Sequence, residues 1–164
     1  MRILVAGIGN IFLGDDGFGS EVVRHVPVQQ DDSGVRVVDY GIGGMHLAYE
    51  LLEDWDALVL IDAVANRGSP GALHIFQADH ESRSATAALD AHSMDPAAVF
   101  DGLRALGGKP PYTVVIGCEV GSVEQGIGLT DPVASALPRA VLAVEEVIAG
   151  LRSRSPATSF EGQG

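Results

Sequence analysis

Five short apolar segments, separated by stretches with helical periodicity, constrain the fold of this chain more than any other feature. The clearest is ALVLIDA at 57–63, which is apolar up to its single acidic residue. Such runs are typical of strands that are buried on both faces of a parallel sheet, whereas strands with one wet face alternate. The predicted strands cover residues 2–7, 35–40, 57–63, 72–77 and 112–119.

The segments between these strands predict helices, because apolar residues recur in them every three or four positions. Two of the helices begin with Asp-Pro, at Asp95 and Asp131, where Asp can cap free N–H groups and Pro fits the first turn. Alternating strands and helices predict a mostly parallel sheet covered on both faces. The link over 64–71 is too short for a crossover helix, so we expect the third and fourth strands to form an antiparallel pair, with the fourth nearer an edge.

Composition excludes several classes of protein. The net charge of −12 argues against a nucleic-acid binder, which would need a basic face. No apolar run approaches the roughly 20 residues of a membrane helix, and the N-terminus is too weakly apolar for a signal peptide, so we expect a cytoplasmic protein without a membrane partner. The only cysteine, Cys118, falls in a predicted buried strand and is expected to be an inert thiol.

The chain length of 164 residues fits one domain. We predict a single domain over 1–150 and a disordered tail over 151–164, which is rich in Ser, Gly and polar residues. We also expect a monomer, because the sequence indicates no large exposed apolar surface.

Ligands of open α/β sheets bind outside the carboxyl ends of the strands, and three segments there carry polar groups. They are the glycine-rich segment 7–19, Asp62, and the sequence Asp-Ala-His-Ser at 90–93. A dinucleotide site is disfavoured, because Phe12 stands where its third glycine is required. The negative charges of Asp15 and Asp16 would also repel a pyrophosphate.

A metal site is the alternative that these segments favour. Asp16, Asp62 and His92 could converge in one crevice, and mixed carboxylate and imidazole ligation suits Zn, Ni or Fe better than Mg or Ca. Each residue also has a plain structural interpretation: Asp16 as a helix N-cap, Asp62 as the cap of a turn, and His92 as an ordinary loop residue. Neither H-E-x-x-H nor G-x-S-x-G, two standard hydrolase signatures, occurs in the chain.

Several separated motifs, in order, resemble those of the hydrogenase maturation endopeptidases, which remove a C-terminal extension from the large subunit of nickel-iron hydrogenases. The motifs are MRILVAGIGNIFLGDDGFGSEVV at 1–23, DYGIGG at 39–44, VLIDAV at 59–64, AHS at 91–93 and GIGLT at 126–130. The resemblance covers about residues 1–148. It implies a three-layer α/β/α sandwich whose five-stranded, mostly parallel sheet has one antiparallel strand.

The resemblance also implies a site and a partner. Asp16, Asp62 and His92 fall on the family's metal-binding positions, and they would engage nickel carried by the large-subunit precursor; no organic cofactor is expected. Asp39 matches a further acidic position of the family. The function implied is an aspartyl-type endopeptidase, and the alternative is a non-catalytic binding or maturation module for the same partner.

The chain departs from the family pattern at two places. Some relatives carry Glu at position 16, so the shorter Asp16 must approach the metal more closely, or Asp15 must share its role. Val120-Gly121 stands where many relatives have Pro-Glu, which affects the shape of the loop after the last strand. For the chemistry we hypothesise a metal-polarised carbonyl or a metal-activated water, with a carboxylate as base.

Overall fold

A computed structural model describes residues 1–27, 34–80 and 96–161, with side chains described up to 154. All five predicted strands are confirmed, and their order in the sheet is β2-β1-β3-β5-β4. Neighbours among β2, β1, β3 and β5 are parallel, and β4 is antiparallel to β5. The strands are β1 (Ile3–Ile8), β2 (Val35–Gly41), β3 (Ala57–Val64), β4 (Leu73–Gln77) and β5 (Tyr112–Glu119).

The helices cover both faces of the sheet, which confirms the three-layer sandwich. They are a 3₁₀ turn (Gly14–Gly17), α1 (Phe18–His25), α2 (Gly44–Glu50), α3 (Pro96–Ala105) and α4 (Asp131–Glu161). Successive residues of β1 serve opposite cores: Val5 packs in the core under α1 and α4, whereas Leu4 packs in the core under α2 and α3. This double burial explains why the central strands are apolar without alternation.

The predicted pairing of β3 with β4 is wrong, because β5 lies between them. Leu73 is opposite Cys118 and Gln77 is opposite Val114 in the antiparallel pair of β4 and β5. The short link correctly indicated that β4 runs against β3. It could not indicate that β5, which comes almost fifty residues later, lies between β3 and β4. The edge position predicted for β4 is confirmed.

The last helix is longer than its predicted apolar stripe. Leu151 is buried in the same core as Val144 and Ile148, and α4 continues to Glu161. The predicted boundary at residue 151 therefore falls inside a helix, because Leu151 extends the stripe by one more turn. None of the helices described is long and apolar enough to span a membrane.

Two glycines let α1 approach the sheet closely. A Cβ placed on Gly19 would meet the backbone oxygen of Ile61 and would lie 2.5 Å from the backbone oxygen of Ile8. A Cβ placed on Gly7 would meet the backbone oxygen of Gly19. The obstacles are backbone atoms, which cannot rotate away as a side chain can.

We therefore expect Gly19→Ala to lower the free energy of unfolding by about 3 kcal/mol, since α1 must move off the sheet. Urea unfolding followed by circular dichroism measures this change. Gly150→Ala is the control: this helical glycine has nothing within 4 Å of an added Cβ. It should raise stability by about 0.5–1 kcal/mol. Equal stability of Gly19→Ala and wild type would contradict the close packing described.

Candidate functional site

Asp16 lies in the 3₁₀ turn that follows β1, and its side chain is only 2 % exposed. The N–H of Asn10 donates to Asp16 Oδ2 at 2.8 Å. Gly9, with φ of +135°, makes this fold-back possible, because a Cβ there would collide with the backbone oxygen of Asp16. Asp16 is not the N-cap of α1, a position that Gly17 occupies, so that structural interpretation is wrong.

Asp62 lies two residues before the end of β3 and is also 2 % exposed. Its Oδ1 accepts a hydrogen bond from the N–H of Ala63 at 2.8 Å. Ile61 pairs with Gly7, so Asp62 is level with the last residue of β1. The 3₁₀ turn contacts β3, and the structure therefore brings Asp16 and Asp62 to the same carboxyl edge of the sheet.

The neighbouring Asp15 has a different role, which the sequence left open. Its Oδ2 accepts hydrogen bonds from the N–H groups of Gly121 (2.7 Å) and Ser122 (3.0 Å) and from the hydroxyl of Thr130 (2.7 Å). Its Oδ1 accepts from the N–H of Thr130 at 2.7 Å. Four donors thus surround a fully buried carboxylate. Asp15 holds the loop after β5 against the turn that carries Asp16, and its oxygens are committed to that task.

Asp39, the further acidic position, is an exposed residue at the carboxyl end of β2. Its Oδ1 accepts hydrogen bonds from the hydroxyl of Ser20 at 2.7 Å and from the N–H of Gly41 at 2.9 Å. Gly41 has φ of +55°, so the bond stabilises a left-handed turn at the strand end. Asp39 therefore ties α1 to the turn after β2, beside the candidate site.

His92, the third residue of the predicted metal site, lies outside the described residues. Within the ranges 1–27, 34–80 and 96–161, no group of three or more His, Cys, Asp or Glu side chains is placed to hold a metal ion. Asp16 and Asp62 are thus the two predicted ligands that the structure describes, and the three-residue site remains a prediction.

Cys118 behaves as expected of an inert thiol. It is fully buried in β5, and burial raises the pKa of its thiol to about 12. A thiol with such a pKa is protonated at neutral pH and is a poor nucleophile.

Sequence analysis missed Glu119, a buried carboxylate at the end of β5. Its Oε1 accepts hydrogen bonds from the N–H groups of Arg67 at 2.8 Å and Ser69 at 3.0 Å, and its Oε2 accepts from His74 Nε2 at 2.7 Å. These bonds hold the pKa of Glu119 below its usual value of 4.5. Glu119 therefore anchors the loop between β3 and β4, a contact that the sequence spacing did not reveal.

A depressed pKa in the folded protein gives stability that is present above the unfolded pKa and is lost as the pH falls. We expect Glu119→Gln to be less stable than wild type at pH 7, and the difference to shrink as the pH falls below about 4.5. Urea unfolding at pH 7 and pH 4 measures both quantities. The exposed Glu146→Gln on α4 is the control, with no such convergence expected. A difference that is constant with pH would contradict this role of Glu119.

The fold and the site define a class: an α/β protein with two buried carboxylates at the carboxyl edge of a mostly parallel sheet, where such proteins bind their ligands. A model of the hydrogenase maturation protease family matches residues 20–147. The chain belongs to this family, as its motifs predicted.

The chain is similar to known proteins and to a solved structure over most of its length. The hydrogenase 2 maturation protease of Escherichia coli is 32 % identical over 154 residues, covering 93 % of this chain and 92 % of that protein. The coenzyme F420 hydrogenase subunit delta of Methanothermobacter thermautotrophicus is 33 % identical over 148 residues, covering 85 % and 90 %. The solved structure of the hydrogenase maturating endopeptidase HybD from E. coli is 31 % identical, with a TM-score of 0.74 over 94 % of both chains.

Proposed function

We propose that this protein is an endopeptidase that removes the C-terminal extension of a nickel-loaded [NiFe] hydrogenase large-subunit precursor and recognises the bound nickel. The observation that carries the proposal is the pair of almost fully buried carboxylates, Asp16 and Asp62, from separate segments that meet at one edge of the sheet. Ligands of open α/β proteins bind at this carboxyl edge, and the family to which the chain belongs is that of the hydrogenase maturation proteases.

The nickel is cargo of the substrate, and the residues that would meet it are Asp16, Asp62 and His92. Asn10 fixes the orientation of the Asp16 carboxylate through its N–H, and Ala63 does the same for Asp62. Carboxylate oxygens and an imidazole suit a borderline divalent ion. One of the two carboxylates would accept a proton from the water that attacks the carbonyl carbon, and would return it to the departing amine as the C–N bond breaks.

A second candidate function is a non-catalytic module that binds or matures the same precursor. One observation supports this second function: a relative of the chain is named as a subunit of coenzyme F420 hydrogenase and not as a protease. For either function we expect a cytoplasmic monomer that binds its partner transiently, with neither nucleic acid nor membrane involved.

One incubation separates the two functions. The purified full-length protein is mixed with nickel-loaded precursor, and the intact mass of the precursor is followed over time. Loss of the C-terminal extension is expected. A precursor of unchanged mass that co-elutes with the protein on size exclusion would show a binding module, and a precursor that is neither cut nor bound would contradict both functions.

A further inference from the structure

We infer that two loops beside Asp16 form an apolar docking surface for a segment of the precursor chain, an inference that rests on the proposed function. The first loop follows β1 and the second follows β5. The surface, called here the loop surface, consists of Phe12 and Ile127 together with an apolar cleft lined by Ile11, Leu129 and Leu137.

The two loops form one backbone unit. The N–H of Gly126 donates to the backbone oxygen of Phe12 at 2.8 Å, and the N–H of Gly14 donates to the backbone oxygen of Gly126 at 2.9 Å. Asp15 adds its hydrogen bonds to the N–H and hydroxyl of Thr130 on the second loop. Phe12 and Ile127 are therefore presented on a braced platform, and a partner that binds there meets little cost of loop ordering.

Both side chains are largely exposed. Phe12 is 58 % exposed and Ile127 is 76 % exposed, and Ile127 also lines the cleft. The cleft has a volume of about 410 Å³, enough for one or two large side chains. Glu21 and Arg24, which form an ion pair at 3.1 Å, also line the cleft and offer polar groups to a bound main chain.

The cleft borders the turn that carries Asp16, and for this reason we assign it to the polypeptide substrate. Gly14 and Gly17, the first and last residues of the 3₁₀ turn, line the cleft. Asp15 and Asp16 are the two residues between them. In the proposed function, a precursor chain whose metal site reaches Asp16 lies next to this turn, so side chains close to that metal site can reach the cleft. An apolar stretch of the precursor buries Phe12 and Ile127, which stabilises the complex without contacting the bond that is cut.

The loop surface is tested with Phe12→Ala and Ile127→Ala. We expect each to raise the KM for folded, nickel-loaded precursor about 10-fold, the effect of losing one buried apolar anchor, with kcat within twofold of wild type. Leu142→Ala on α4 and Ile75→Ala on β4 are matched controls, since these side chains are 58 % and 51 % exposed but lie away from both loops. Their KM should not change.

An unchanged KM in both loop variants, or an equal rise of KM in the controls, would overturn the loop surface. The proposed function would still stand in that case, because it depends only on processing of the precursor by the wild type. If the wild type does not cut the precursor, the proposed function fails instead. The Kd for the precursor, measured by calorimetry on the same four variants, then decides the loop surface: a selective 10-fold weakening by Phe12→Ala and Ile127→Ala supports it, and equal Kd values overturn it.

Discussion

Asp62→Asn should lower the rate of precursor processing by at least about 100-fold, the usual scale for loss of a catalytic acid or base. The substitution keeps the shape of the side chain, and its amide oxygen can still accept the N–H of Ala63. It removes the negative charge that, in the proposed function, meets nickel at the carboxyl edge of the sheet. Initial rates with nickel-loaded precursor measure the effect.

Asp54→Asn is the matched control for this variant. Asp54 is exposed just before β3, at the amino end of the same strand, so its charge lies at the opposite edge of the sheet. Its variant should process precursor at the wild-type rate. A folded Asp62→Asn protein that works at full rate would contradict a role for this carboxylate in cleavage, whatever the control does.

Asp15→Ala should have the largest effect on stability among the acidic residues of the site. It leaves the N–H groups of Gly121, Ser122 and Thr130 without their acceptor, and each such loss costs about 1–3 kcal/mol. Because water can reach the exposed Gly121, we expect a total loss of about 3 kcal/mol in the free energy of unfolding, near the lower end of that sum.

The same variant should also slow processing, because the turn that carries Asp16 loses its tie to the loop after β5. Thermal unfolding and initial rates, both measured below the melting temperature, separate the two effects. The exposed Asp54→Ala should stay within about 0.5 kcal/mol of wild type. A melting temperature for Asp15→Ala equal to that of wild type would show that the four hydrogen bonds contribute little to stability.

The strands and the layered fold were predictable because the central strands are buried on both faces. Every residue of β1 and β3 is buried, so a continuous apolar run in the sequence indicates a central strand of the sheet. The pairing of β4 was not predictable in the same way. Strand order depends on which later segment fills a gap, and no local pattern reports that β5 separates β3 from β4.

The position of the candidate site at the carboxyl ends of the strands was predictable from the sequence. The hydrogen bonds between distant segments of the chain were not. Asp62 was found because it interrupts an apolar strand close to its carboxyl end, and Asp16 because it lies in the glycine-rich segment that follows β1. The task of Asp15 depends on donors more than 100 residues later in the chain, which spacing cannot reveal. Glu119 was missed for the same reason, because its partners lie on a loop about 50 residues earlier.

The central claim, that the buried pair of carboxylates reads nickel on the precursor, is tested most directly by comparing nickel-loaded with nickel-free precursor. Intact mass spectrometry gives the initial rate of loss of the C-terminal extension for each form, under identical conditions with wild-type protein. We predict rapid loss from the nickel-loaded form and none from the nickel-free form within the same time. Equal rates for the two forms would contradict the claim.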